Sequence, residues 1–185
     1  FEAFPGFLVT GNLYRPVGDG PYPGVICPHG HWEHGRFENT DLCSVSGRCI
    51  TFARMGMAAF CYDMVGYNDS KQFPRGWGHS GGNVSEEQRR LEGLWGIHPF
   101  AMQLWSAVRA LDFMETLPYV NKDKLACTGA SGGGTQTFAL CAIDQRVKVS
   151  APVNMISHTM QGGCPCENAP IIRFNASNME VGSLM

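Results

Sequence analysis

The sequence predicts an α/β domain, a mostly parallel sheet with flanking helices. Three observations predict it. Short continuous apolar runs recur at strand length, segments of helical period lie between them, and one run passes through a glycine-rich turn straight into a helix. Continuous apolar runs are the mark of strands buried on both faces, and strands alternating with helices imply right-handed crossovers.

Phe7 to Tyr14, FLVTGNLY, reads as an extended run that ends in the turn-forming stretch after Arg15 and Pro16. Gly24 to Cys27, GVIC, is a buried strand followed by the polar loop PHGHWEHGRF. Leu42 to Met55 has helical spacing through Leu42, Val45, Cys49, Ile50 and Ala53, with Gly56 as its stop. Met57 to Tyr62, MAAFCY, is a second buried strand leading into DMVGYNDS. Residues 71–98, polar and glycine-rich, read as an insertion or lid, and His79 and His98 lie in or beside it. Phe100 to Leu117 is the clearest helix, with Phe100, Leu104, Ala107, Val108, Leu111 and Met114 on one stripe. Lys124 to Thr128 is a third buried strand that runs into GASGGG and the helical TQTFALCAI, and Val147 to Val153 is a fourth.

With 185 residues, 44% hydrophobic content and a net charge of −2, the chain suits one domain spanning 1–185. No cluster of Lys or Arg marks a nucleic-acid surface, and no apolar stretch approaches the roughly 20 residues that span a bilayer. Neither nucleic acid nor membrane is an expected partner. Of the eight cysteines, Cys27, Cys61 and Cys127 sit inside strand-like runs, as buried thiols do, so most are expected to be reduced. The Cys164-Pro165-Cys166 pair is tighter than the usual zinc spacing of C-x2-4-C.

Gly129-Ala130-Ser131-Gly132-Gly133 fits G-x-S-x-G between a strand and a helix, the setting of a nucleophile elbow. The serine of such a turn needs small neighbours, which Ala130, Gly132, Gly133 and Gly134 supply. A dinucleotide fingerprint fails, because Ser131 stands at the second glycine, and a P-loop fails for want of its lysine. A purely structural turn is the remaining competitor. Pro28-His29-Gly30-His31-Trp32 follows an earlier strand, where elbow folds place their second oxyanion donor. The backbone N–H groups of His31 and Gly132 are the assigned donors, and Trp32 and His98 are candidate substrate contacts. A zinc site of His29, His31 and His34 would leave the serine turn unexplained, so neither metal nor cofactor is expected. Asp63 reads as a turn-shaping residue.

The motifs GNLYRP at Gly11 to Pro16, CPHGHW at Cys27 to Trp32, YDMVGYNDS at Tyr62 to Ser70 and CTGASGGGTQT at Cys127 to Thr137 resemble those of the α/β-hydrolases. The match is to the acetyl xylan esterase and dienelactone-hydrolase-like branch. The resemblance implies a serine ester hydrolase cleaving acetyl or similar esters, including those of plant polysaccharides, and an exported enzyme. It also implies a triad in the order Ser, acid, His. After Ser131 the chain offers only His158, with Asp144, Glu167 and Glu180 as acids. Glu167 in QGGCPCENAP is the candidate acid, at a position that glucuronoyl esterases use. His158 follows an atypical strand, so the reading expects a chain truncated at its C-terminal end, lacking its usual acid and base. The rival readings are an inactive fragment or non-catalytic binding member of the fold, and a prolyl-oligopeptidase-like serine peptidase or a glucuronoyl esterase.

Overall fold

The structure is a computed structural model that describes residues 1–73, 86–168 and 175–185. The chain opens with a small hairpin, β1 (Glu2–Phe4) and β2 (Phe7–Leu8), then forms β3 (Gly11–Tyr14). The single extended run expected over Phe7 to Tyr14 is thus two strands. The first pairs with β1, and the second joins the main sheet. β4 (Tyr22–Ile26), α1 (Val45–Arg54), β5 (Ala58–Tyr62), α2 (Glu86–Leu94), α3 (Pro99–Thr116), β6 (Val120–Ala130), α4 (Gly132–Ile143), β7 (Val147–Val153) and α5 (Asn178–Gly182) follow.

Among the described residues the main sheet has five strands in the order β3-β5-β4-β6-β7. The last four are parallel and β3 is antiparallel to β5. The apolar runs are explained by alternation through this sheet. Ile26 of β4, Ala58, Phe60 and Tyr62 of β5, and Leu125 and Cys127 of β6 point to the face covered by α3 and α4. Val25 and Cys27, with Ala59 and Cys61, point the other way, against Val45 and Cys49 of α1. Both faces are apolar because both carry helices.

Element ends differ from the expected ones for local reasons. α1 begins three residues later than periodicity suggests, because the Ser44 hydroxyl caps it by accepting from the Gly47 N–H at 2.9 Å, leaving Leu42 exposed. Gly56, with φ of 89°, ends that helix in the left-handed region that favours glycine. α3 starts at Pro99, a residue suited to the first helical position, and the His98 side chain accepts from the Phe100 N–H at 3.3 Å. β6 extends beyond the predicted five residues on both sides, to Val120 and Ala130, with a register shift against β4 between Pro23 and Gly24. Of the expected lid, residues 74–85, with His79, lie outside the described residues, and α2 occupies part of the rest.

A buried ion pair ties the loops together. Arg36, in the loop after β4, contacts Asp63 just beyond β5. It also donates to Thr10 Oγ1 at 2.7 Å, Asn12 Oδ1 at 2.8 Å and Asp69 Oδ2 at 3.0 Å. Asp63 accepts further from the Asn68 side chain at 2.7 Å and the Asp69 N–H at 3.3 Å. Its role is structural, as its place at a strand exit suggests. Cys27, Cys61 and Cys127 are buried free thiols, and most of the cysteines are reduced, as expected; Cys164 and Cys166 are joined in a disulfide.

Candidate active site

Parallel strands end on the same edge, so the loops after β4, β5, β6 and β7 share one rim, where sites form in such sheets. At the centre of that rim β6 passes into α4 through Ser131. Its backbone has φ of 57° and ψ of −123°. This is a region that residues with a Cβ rarely enter, and holding one there costs about 1–3 kcal/mol. The surroundings supply that constraint. The Ser131 N–H donates to Val153 O of β7 at 3.1 Å, and the Ser131 carbonyl accepts from the Thr135 N–H at 3.0 Å. Around it the backbones are in near contact. A Cβ on Gly129 would lie 2.5 Å from Pro28 O, and one on Gly133 would overlap the same oxygen, so only glycine fits at either place. The small residues of the motif therefore let the β4 loop lie directly on the elbow.

Ser131 is partly exposed, and the first N–H groups of α4, starting at Gly132, have no acceptor within the helix. The positive end of the helix dipole adds to them. Both features are suited to a negative charge developing beside the serine oxygen.

The β4 loop forms the facing wall. His29 is fully buried; its Nδ1–H donates to Gly30 O at 2.7 Å and its Nε2 accepts from the Met64 N–H at 3.1 Å. Nε2 ties the loop to the β5 exit and Nδ1 braces the loop on itself, so with both ring nitrogens engaged His29 is a strut rather than a metal ligand. His34 is exposed. Trp32 is half-buried and packs across Gly30 and against the apolar cluster under α1. His31 is brought to the elbow, since a Cβ on Gly132 would lie 2.8 Å from its Cε1.

The structure also joins residues that spacing alone did not connect. His31 Nδ1 lies 3.1 Å from Glu167 Oε1. Glu167 is 3% exposed, and its Oε2 accepts from the Gly163 N–H at 2.7 Å. On the other side of the ring, His31 Nε2 lies 2.9 Å from Cys166 Sγ and 3.4 Å from Cys164 Sγ. Buried Tyr67, from the β5 loop, stacks edge-on against His29 at 4.6 Å. Its burial, and secondarily the Glu167 carboxylate, push its hydroxyl above the ordinary tyrosine range, so it stays protonated. Three loops thus meet beside Ser131. The signal for this was strand order: β6 lies between β4 and β7, so the segments after those two strands flank the elbow.

His98 caps α3, and exposed His158 faces Glu180 near α5. No helix among the described residues is long and apolar enough to cross a membrane.

No protein-family model matches the chain. A putative hydrolase, YtaP of Bacillus subtilis (strain 168), is 25% identical over 137 residues, covering 71% of this chain and 42% of the relative. Among solved structures, methylesterase BT1017 superposes with a TM-score of 0.73 and 27% identity, over 95% of this chain and 36% of its own. An acetyl xylan esterase from Paenibacillus sp. R4 gives 0.58 at 24% identity, over 78% of this chain and 43% of its own. The chain spans less than half the length of each of these proteins.

Proposed function

We propose that this chain, a member of the α/β-hydrolases, carries the nucleophile and oxyanion loop of a serine ester hydrolase acting through an acyl-enzyme on Ser131. The observation that carries the reading is the Ser131 backbone, held at φ of 57° and ψ of −123° between β6 and α4. Strain of this kind needs surrounding structure to hold it, and it gathers at reactive positions. Ser131 Oγ attacks the ester carbonyl as its proton passes to a general base, and the alcohol leaves with a proton returned by that base. Water then releases the acid from the acyl-enzyme. The N–H groups of Gly132 and His31 are the proposed donors to the tetrahedral oxyanion, each worth about 3 kcal/mol at the transition state. Glu167 acts on His31 in this reading, fixing the ring and with it the loop.

Two ester classes fit, and likeness to a methylesterase favours carrying both. In an acetylated sugar the acyl group is small and the alcohol is carbohydrate. In the methyl ester of a sugar acid the order is reversed. The full-length protein should hydrolyse acetylated xylo-oligosaccharide or a uronic-acid methyl ester at least about 100-fold faster than a proline-containing peptide amide, measured as kcat/KM. The reverse order would support the peptidase reading, and no turnover of any of them would support a non-catalytic binding member.

A further inference from the structure

The group beside the elbow has the composition of a metal centre. His31 Nε2, Cys164 Sγ and Cys166 Sγ all lie within 4.8 Å of one another. Two are contributed by the loop after β7 and the third by the loop after β4. The imidazole is also oriented for ligation. With Nδ1 facing the Glu167 carboxylate at 3.1 Å, its proton sits on that nitrogen, and the Nε2 lone pair is directed at the sulfurs. A carboxylate behind a histidine is the usual outer partner of a metal-bound imidazole, fixing its tautomer and raising its basicity. Glu167 is in turn fixed by the Gly163 N–H. Neither the Cys-x-Cys spacing nor the histidine suffices alone; the fold brings them together.

We propose that, with the Cys164–Cys166 disulfide reduced, His31, Cys164 and Cys166 bind one Zn2+ as a Cys2His site with an open fourth position. Two thiolates and an imidazole suit a borderline-soft divalent ion, and three protein ligands with one vacancy form a known zinc arrangement. A dithiol or phosphine reductant supplies two electrons, and the sulfurs take up two protons as the S–S bond breaks. Both protons leave when the thiols bind the ion. The sulfurs part to roughly 3.8 Å, as two Zn–S bonds of about 2.3 Å at a tetrahedral angle require. Because the His31 ring lies over Gly132, the ion is held at the elbow and couples the redox state of the pair to the oxyanion loop.

The proposal goes beyond ester hydrolysis, and its test reads metal rather than turnover. The protein is reduced with a phosphine under anaerobic conditions, desalted, and titrated with Co2+ as a spectroscopic stand-in, then with Zn2+. The expected result is one Co2+ per chain with a thiolate-to-cobalt charge-transfer band, lost on adding one equivalent of Zn2+. The band should be absent from C164S, C166S and H31Q, and E167Q should weaken Zn2+ binding about 10- to 100-fold. Circular dichroism identifies any variant that fails to fold, and the single-site variants stand in for one another. Three results would overturn the proposal: a disulfide that resists reduction in the folded protein, no stoichiometric metal after reduction, or a band that survives in folded C166S or H31Q.

Discussion

Ser131→Ala should lower kcat/KM for the preferred ester by at least about 10⁴-fold while leaving the protein folded. Removing the nucleophile of a serine hydrolase costs on the order of 10⁶ in kcat, and the residue of catalysis that survives comes from binding and oxyanion donors. The donors assigned here are backbone groups of His31 and Gly132, which the substitution does not touch. Stability separates this effect from damage to the fold. Alanine keeps the Cβ at φ of 57°, so Ser131→Ala should unfold near the wild-type denaturant midpoint. Ser131→Gly should be equally inactive yet more stable by about 1 kcal/mol, since glycine enters that region without strain. Steady-state kinetics and urea unfolding on both variants check the pair. Activity within tenfold of wild type in either one would remove Ser131 from the mechanism.

The second large effect is on stability. Arg36→Met should cost about 3–5 kcal/mol, because it leaves the Asp63 carboxylate buried without its cation. Asp63 has no exposed surface, and the Thr10, Asn12 and Asp69 side chains that Arg36 joins lose their common donor as well. The cost depends on pH with a definite sign. Burial already pushes the Asp63 carboxyl above its ordinary value, chiefly by desolvation, and removal of Arg36 pushes it further. A group whose folded pKa is raised contributes stability below its unfolded pKa of about 4 and loses it as pH rises through the folded value. The variant should therefore lose more stability near pH 7 than near pH 4, and Arg36→Met with Asp63→Asn should recover part of it. Denaturant unfolding at the two pH values measures this. A loss under about 1 kcal/mol that does not vary with pH would show the pair to be energetically idle.

Much of this was legible in the residues, and the reasons are local. β7 matches its predicted span, and β4, β5 and β6 were found as apolar runs because helices cover both faces of the sheet. The elbow was legible because G-x-S-x-G needs only its immediate neighbours to be small. The split between β2 and β3 was hidden because alternation along Phe7 to Tyr14 carries no record of which strand each half will pair with. The Ser44 cap, which moves the start of α1 past Leu42, competes with a periodicity that Leu42 happens to fit. Cys164 and Cys166 read as an unusual pair on spacing alone. Their partner, His31, lies 133 residues from Cys164 in sequence, and only the order β4-β6-β7 brings the two loops together. Glu167 was legible as a candidate acid, but its contact with His31 was not, for the same reason.

The central claim is that Ser131 is a nucleophile as well as a strained turn. Incubating the folded protein with a fluorophosphonate and mapping the adduct by mass spectrometry tests it most directly. One adduct per chain is predicted, on the peptide that contains Ser131, and it should be absent after heat unfolding and in Ser131→Ala. A folded protein that takes up no label, or takes it up at another residue, would contradict the account.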